Sequence, residues 1–371
     1  MSDPIYVTQP FLPPLSEFVS LLETIWSSKI LTNQGPFHQQ FEARLRGYLG
    51  VEHISLTANG MLALEAALGA LPLSGEVVTT PYSFVATTHA IRRSGLEPVF
   101  ADVSPVDLNI DPIAVERAIT PRTCAIVAVH CYGNPCDVDA LEALAKRHGL
   151  ALIYDAAHAF GVRHKGRSLP SFGDLSALSF HATKVFNTFE GGAVIAGSAD
   201  NKAAIDRLKN FGITSETTIS SVGFNAKMSE INAAFGLLQL EHFETCIQLR
   251  RRVDRHYREA LSGVKGLRLI AHAADTEPNY SYFPLLVEED FRCSRDELYE
   301  ELKQVGIYAR RYFYPLLSNI PSYQDLPSAR QDELPVANAA VERILCLPIY
   351  PSLSTHDQDR IIEGVIGRGP G

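Results

Sequence analysis

The sequence predicts an α/β fold in which helices cover both faces of a mostly parallel sheet. Between residues 55 and 200, short apolar runs rich in β-branched residues alternate with segments of helical periodicity. Strands that are apolar on both faces are typical of parallel sheets, because helices cover them from each side. After Gly223 this alternation ends, which predicts a large domain over 1–245 and a smaller α+β domain over 246–371.

The elements of the large domain follow in order along the chain. A helix is predicted over 62–71, after a Gly at its start. Six apolar runs then predict strands over 76–80, 97–101, 124–130, 150–155, 177–181 and 192–197. Apolar residues at helical spacing predict helices between them, over 84–94, 112–119 and 138–148. Alternating strands and helices of this kind favour a parallel sheet.

The C-terminal part has a different pattern. One long helix is predicted over 228–262, followed by a strand over 280–287 and a helix over 294–305. A Pro-rich stretch covers 312–350. These segments predict a smaller α+β unit attached through the long helix.

Composition excludes several classes of function. The 371 residues carry 33 Lys and Arg against 42 Asp and Glu, a net charge of −9, which argues against a nucleic-acid or membrane partner. No run of about 20 apolar residues and no apolar N-terminal segment is present, so we predict a cytoplasmic protein. Cys131 and Cys136 follow His130 but lack a second pair at ligand spacing, so no metal site is predicted.

The first two candidate site segments follow from the rule that open α/β sheets bind ligands beyond the carboxyl ends of their strands. Gly60 and Met61 open a helix whose backbone N–H groups could hold a phosphate, although a plain helix cap explains the same residues. Asp155 ends an apolar run and His158 follows it. This pair could hold a ring nitrogen and another ring edge, or could be an N-cap with a structural His.

The other two candidate segments carry an amine and an aromatic ring. Lys184 follows Ser179 among small and aromatic residues, an unusual setting for a residue that is normally solvated. A partly desolvated lysine has a lowered pKa and becomes a Schiff-base nucleophile, whereas a solvated loop lysine does not. Phe84 could stack on a flat ligand or pack in the core. Pyridoxal phosphate (PLP) needs all four parts: a lysine, a carboxylate, an aromatic face and a phosphate cradle.

The segments that carry these residues resemble the DegT/DnrJ/StrS nucleotide-sugar aminotransferases, which have the PLP-dependent fold type I with a seven-stranded sheet. The resemblance rests on the segments NGM, PYSFVAT, YDAAHAFG, SFHATKVFNTFEGG and GFNAKMSEINAAFGLLQL, and it extends from about residue 8 to residue 353. It implies a homodimer with shared active sites. It also implies transfer of an amino group from L-glutamate to a nucleotide-linked keto sugar, by ping-pong kinetics through pyridoxamine phosphate.

The resemblance also assigns roles to individual residues. Lys184 is implied to form a Schiff base with PLP, Asp155 to pair with the pyridine nitrogen, and His158 to bond the ring hydroxyl. Phe84 is implied to stack on the ring. The phosphate is implied to bind the backbone of Gly60 and Met61, the Ser179 hydroxyl, and Asn225 of the partner subunit. Met61 stands where the family usually has Thr, so a side-chain hydroxyl donor is lost there.

Within the family, the segments VTQPFLPP, LTNQGPFHQQFE and HCYGNPCDV look closest to enzymes of the viosamine-synthase type. These aminate C4 of dTDP-4-keto-6-deoxyglucose to give dTDP-4-amino-4,6-dideoxyglucose, a precursor for surface polysaccharides. Candidate substrate residues are Asn33 and Gly35 for the sugar, by resemblance, and Arg310 and Arg311, beside Tyr312 and Tyr314, for the diphosphate. A solvated basic turn explains the last group equally well.

Four alternatives stay open at this point. The first is a C3-specific transaminase of the same family, which shares most of these motifs. The second is a PLP-dependent sugar dehydratase, but related enzymes of that kind have a histidine in place of Lys184. The third is a non-catalytic PLP-fold protein, which is expected to lose Lys184, Asp155 or His158. The last is a nicotinamide-dependent enzyme, for which the glycine fingerprint is missing.

Overall fold

The main sheet of the computed structural model, which describes residues 3–367, has seven strands. In chain order they are His53–Thr57 (β1), Glu76–Thr79 (β2), Glu97–Phe100 (β3), Thr123–Val129 (β4), Ala151–Asp155 (β5), Leu175–Ser179 (β6) and Gly192–Ala196 (β7). Their order across the sheet is β1-β7-β6-β5-β4-β2-β3. Strand β7 runs antiparallel to both of its neighbours, and the remaining pairs are parallel. The predicted mostly parallel α/β sheet is therefore confirmed.

Both faces of this sheet are buried, as the apolar runs predicted. Neighbouring strand residues alternate between two hydrophobic clusters: Val78 and Ile126 belong to one, and Val77 and Val127 to the other. Each cluster lies under helices, so the strands need apolar side chains on both faces. The covering helices are Leu15–Ser28 (α1), Pro36–Leu49 (α2), Gly60–Gly69 (α3), Ala86–Arg93 (α4), Pro112–Ala118 (α5), Val138–His148 (α6), Ala199–Leu208 (α7) and Glu230–Leu261 (α8).

Side-chain caps fix where several of these helices begin. The Asn59 side chain accepts a hydrogen bond from the Leu62 N–H at 2.9 Å, and Asp137 caps α6 in the same way. Gly149 ends α6 in the left-handed conformation, which glycine adopts at no steric cost. These caps set the position of α3 directly after β1.

A smaller sheet follows the long helix α8. Strands Leu267–Leu269 (β8), Phe283–Val287 (β9) and Ile344–Leu347 (β10) are antiparallel in the order β8-β9-β10. Helices Arg295–Gln304 (α9), Pro335–Val341 (α10) and Thr355–Ile366 (α11) accompany it. Residue 245 lies inside α8, and the division into 1–245 and 246–371 stays a prediction. Short strand pairs complete the structure: Ile5–Tyr6 with Ile307–Tyr308, Ile213–Ser215 with Thr218–Ile219, and Arg163–His164 with Arg167–Ser168 and Thr276–Glu277.

Two predicted elements end or begin elsewhere for a local reason. The strand predicted over 177–181 is Leu175–Ser179, because the chain turns after Ser179 and the Lys184 N–H donates to the His181 carbonyl at 2.9 Å. The helix predicted over 84–94 begins at Ala86, because Ser83 and Phe84 lie in the turn after β2. Across residues 3–367, no helix has both the length and the apolar character to cross a membrane.

Candidate active site

A cavity of about 530 Å³ lies at the carboxyl ends of the central parallel strands. Val129, Asp155 and Ser179 line it, and they end β4, β5 and β6. The amino end of α3 also lines it, as expected for an open α/β sheet. Among the sequence-predicted residues, this cavity brings together Gly60, Met61, Phe84, Asp155, His158, Ser179, Lys184 and Tyr312.

Asp155 is a buried carboxylate held at both of its oxygens. Its Oδ2 accepts a hydrogen bond from the Thr87 hydroxyl at 2.7 Å, and its Oδ1 accepts from the Ala157 N–H at 3.1 Å. Burial raises the pKa of Asp155, and Thr87, the Ala157 N–H and Lys184 oppose that rise. Such a group can hold a positively charged ring nitrogen in the cavity, because a partner cation favours the ionised form.

Lys184 supplies the amine of the site. Burial lowers its pKa to about 8, while the negative charge of Asp155 acts in the opposite direction. The turn that begins after β6 places it in the cavity wall near Ser179 and His181. A lysine with this pKa exists partly as the free amine near neutral pH, which suits it to attack an aldehyde or to accept a proton.

His158 is buried and neutral. Burial, followed by the charge of Lys184, lowers its pKa well below the usual range. Its ring stacks on Phe313 with centroids 5.8 Å apart and meets the edge of Tyr282 at 4.9 Å. Its Nδ1 atom is buried and has no hydrogen-bond partner among residues 3–367. A buried polar atom of this kind in a cavity wall requires a partner, which a ligand can provide.

The amino end of α3 approaches β6 closely. A Cβ atom at Gly60 would lie 2.7 Å from the Ser179 Cβ and 2.9 Å from its Oγ. Only glycine allows this close approach. The approach places the first N–H groups of α3 beside the Ser179 hydroxyl. Backbone donors and a hydroxyl at a helix N-terminus are a fitting set for a phosphate. Met61 also lines the cavity here, and its side chain has no hydroxyl group to donate to a ligand.

Phe84 lies on the open side of the cavity. It is 59% exposed, so it is not a core residue. An aromatic ring that stays exposed at the mouth of a polar site offers a face for a flat ligand.

Six predicted residues lie outside this cavity as one chain forms it: Asn33, Gly35, Asn225, Arg310, Arg311 and Tyr314. Asn225 is exposed, with its backbone bridged to Asn210. Arg310 is exposed beside the small sheet, where its backbone pairs with Cys346. Tyr314 is exposed, and its ring lies against Arg295 and Arg311. The neighbouring Arg311 is already paired with Asp296 at 2.8 Å.

The loop of Asn33 and Gly35 is fixed by a residue that the sequence did not single out. Glu230 is buried at the start of α8, and its two carboxylate oxygens accept from the N–H groups of Phe37 and His38, each at 2.8 Å. This carboxylate therefore caps α2, where negative charge is favoured. A Cβ at Gly35 would lie 2.5 Å from the Glu230 Cδ, so the loop requires glycine there.

Three other contributors to the cavity were also missed. Thr87 holds Asp155, and Tyr282 and Phe313 pack on His158 from the C-terminal part of the chain. A threonine inside a helical pattern carries no distinctive signal, and aromatic residues far along the chain reveal their contacts only in the fold. Within residues 3–367 no group of three or more His, Cys, Asp or Glu side chains could hold a metal ion.

Comparison with known proteins places this geometry among aminotransferases. The chain is 51% identical to the dTDP-4-amino-4,6-dideoxy-D-glucose transaminase of Shigella dysenteriae, over 98% of this chain and 99% of that protein. It superposes with a TM-score of 0.93 on the crystal structure of DesI in the presence of its TDP-sugar product, at 38% identity, over 99% of this chain and 95% of that one. The crystal structure of S. venezuelae DesV in complex with a ketimine intermediate superposes with a TM-score of 0.90 at 30% identity. The match covers 99% of this chain and 98% of that one.

The match to a family pattern covers nearly the whole chain. Residues 15–366 match the DegT/DnrJ/EryC1/StrS aminotransferase family. The match spans the central sheet, α8 and the small sheet, and thus every residue that lines the cavity. The chain therefore belongs to the DegT/DnrJ/EryC1/StrS aminotransferase family.

Proposed function

We propose that this protein transfers an amino group from L-glutamate to C4 of dTDP-4-keto-6-deoxyglucose. The products are 2-oxoglutarate and dTDP-4-amino-4,6-dideoxyglucose. The main support for this reaction is that one cavity contains both Lys184, with a pKa of about 8, and the buried carboxylate of Asp155. The identity of 51% to a transaminase named for this amino sugar supports the choice of substrate and of C4.

The residues of the cavity fit PLP as the cofactor. The Lys184 amine would hold the cofactor's aldehyde, and Asp155 would pair with its ring nitrogen. The unpartnered Nδ1 of His158 would meet the ring hydroxyl. The phosphate would bind at the amino end of α3, where the contact between Gly60 and Ser179 leaves no room for a Cβ. The ketimine complex of the DesV structure belongs to the chemistry of such a cofactor.

When bound, PLP supplies an electron sink for the negative charge that develops on the carbon bearing the amino group. Asp155 favours this chemistry, because its carboxylate holds a proton on the ring nitrogen. Lys184, as a free amine, would take the proton from that carbon and deliver it to the former aldehyde carbon of the cofactor. His158 stays neutral, so it orients the ring without adding charge. With the keto sugar bound, Lys184 would carry out the same proton transfers in reverse, and the sugar would receive the amino group.

We propose that the working enzyme is a homodimer with shared active sites. Asn225 is exposed and lies outside the cavity of its own chain, so a phosphate contact by this side chain requires a neighbouring subunit. Large apolar side chains near it are exposed as well, among them Ile219 and Val222 at 72% and 92%. Several exposed apolar side chains within one short segment are typical of a subunit interface.

The test is the visible spectrum of the purified protein loaded with PLP. L-glutamate is expected to bleach the yellow band, and dTDP-4-keto-6-deoxyglucose is expected to restore it. Lys184→Ala is the control and should show neither change on the time scale of turnover. A band that glutamate leaves unchanged would refute transamination, and failure to form any band would refute the cofactor assignment. Restoration only by the 3-keto isomer would move the reaction to C3.

A further inference from the structure

A chain of buried hydroxyl groups leads to Asp155 from the side of α4. The Thr87 Oγ1 lies 2.7 Å from Asp155 Oδ2, and the Ser83 Oγ lies 2.8 Å from the Thr87 Oγ1. Thr87 is 1% exposed, Ser83 4% and Asp155 6%. The three groups therefore interact with almost no competition from water.

The direction of these hydrogen bonds follows from the chemistry of the groups. An ionised carboxylate can only accept, so the single hydroxyl proton of Thr87 must go to Asp155. The Thr87 oxygen then accepts from Ser83, because its own proton is already committed. Together with the Ala157 N–H on Oδ1, this arrangement holds both oxygens of Asp155 and fixes the plane of the carboxylate.

We propose that Thr87, held in turn by Ser83, is a positioning residue that orients the Asp155 carboxylate toward the cofactor's ring nitrogen and favours its ionised form. The inference rests on the proposed function, because the ring nitrogen belongs to PLP. Thr87 would thus act on cofactor binding through Asp155, without touching the cofactor itself.

The Thr87 hydroxyl lowers the pKa of Asp155. Burial raises the pKa of Asp155, and the hydrogen bond from Thr87 is the largest of the effects that oppose this rise. Hydrogen bonds to charged groups contribute more than those between neutral groups. Without this donor, the pKa of Asp155 lies higher still, and a protonated carboxyl no longer favours a proton on the ring nitrogen.

The experiment compares three variants that separate the hydroxyl group from the shape of the side chain. Thr87→Val removes the hydroxyl and keeps the shape, and Thr87→Ser keeps the hydroxyl. Thr88→Val is the matched control, because Thr88 is also fully buried on α4 but its hydroxyl donates to the Val85 carbonyl at 3.3 Å. PLP is titrated into each cofactor-free protein to obtain the dissociation constant. With ¹⁵N-labelled PLP, the ring-nitrogen resonance reports whether that atom carries a proton.

We expect Thr87→Val to weaken PLP binding by about tenfold or more and to shift the ring nitrogen toward its unprotonated form. Thr87→Ser and Thr88→Val should stay within about threefold of the parent protein, with the nitrogen protonated. Thr87→Val that binds PLP as the parent does, with an unchanged resonance, would overturn the proposal. An equal loss in Thr88→Val would overturn it too, because the effect would then be one of packing. Failure of the parent protein itself to bind PLP would instead refute the proposed function.

Discussion

At the residue scale, the proposed chemistry depends on the protonation of Lys184. An ordinary lysine with a pKa near 10.4 is neutral in fewer than about one molecule in a thousand at pH 7, whereas a pKa of about 8 makes that about one in ten. Only the neutral amine attacks an aldehyde. The rate at which cofactor-free protein captures PLP should therefore rise about tenfold between pH 6 and pH 7, about fivefold between pH 7 and pH 8, and level off above that.

Stopped-flow absorbance between pH 6 and pH 10 measures this rate. The ionisations of PLP itself cancel when the rate is divided by that of Nα-acetyl-lysine under the same conditions. Asp155→Asn should move the midpoint of the pH dependence of this rate to lower pH, because the negative charge of Asp155 raises the pKa of Lys184. A normalised rate that stays constant over this range would show that Lys184 titrates like a solvated lysine.

Also at this scale, polar residues that directly follow apolar runs were predictable, and their supporting partners were not. Asp155 and Lys184 each interrupt or follow a buried strand pattern, and the cavity brings both together. Thr87 occupies a helix position that any small residue could fill, so only the distance to Asp155 reveals it. Glu230 looks like an ordinary acidic residue at a helix start, yet it caps a different helix.

At the element scale, the position of α3 against β6 depends on Gly60. Alanine there would place its Cβ 2.7 Å from that of Ser179, so the helix would have to move away from the strand. We expect Gly60→Ala to weaken PLP binding by about tenfold or more, because the N–H groups of α3 are displaced, and to lower the free energy of unfolding by about 1–3 kcal/mol. PLP titration and urea denaturation of the cofactor-free protein measure the two effects separately.

Gly47 provides the matched control for this helix glycine. It lies inside α2, and a Cβ there would meet no atom within 4 Å. Gly47→Ala should therefore leave PLP binding unchanged and raise the free energy of unfolding by about 0.5–1 kcal/mol. If Gly60→Ala behaved like Gly47→Ala in both measurements, the close approach of α3 and β6 would not form the phosphate site.

Elements with a strong local pattern were also the predictable ones. The apolar runs gave the inner strands, and the helical spacing after Gly223 gave α8 within two residues at its start. Helices α1 and α2 and strand β1 were not predicted. Strand β1 is an edge strand paired only with β7, and His53 at its start obscures the apolar run. Strand β3 lies at the other edge of the sheet, but its apolar run made it predictable.

At the scale of the whole molecule, the site combines distant parts of the chain. Phe313 stacks on His158, and Tyr312 lines the same cavity as Gly60. No local motif indicates these contacts, because they arise only when the small sheet packs beside the large one. The sequence could therefore predict the first half of the cavity and only list candidates, such as Arg310 and Tyr314, for the second.

The proposed sharing of active sites between subunits leads to a prediction about mixed dimers. In a homodimer, each site is expected to use Lys184 from one subunit and Asn225 from the other. Lys184→Ala and Asn225→Ala should each impair every site of their own homodimer. In a mixed dimer of the two variants, one site receives both substitutions and the other receives neither. Subunit exchange should therefore restore activity that neither variant has alone.

Random exchange of equal amounts gives about half mixed dimers with one intact site each, so about a quarter of the parent activity is expected. The assay follows amino-sugar formation after the variants are mixed under conditions that allow exchange. A mixture of Lys184→Ala with a Lys184→Ala, Asn225→Ala double variant is the control, because none of its dimers has an intact catalytic lysine. Exchange demonstrated by differently tagged subunits, without recovery of activity, would mean that Asn225 serves the site of its own chain or none. Recovery would establish that the exposed surface around Asn225 completes the neighbouring cavity, and that the dimer is the catalytic unit.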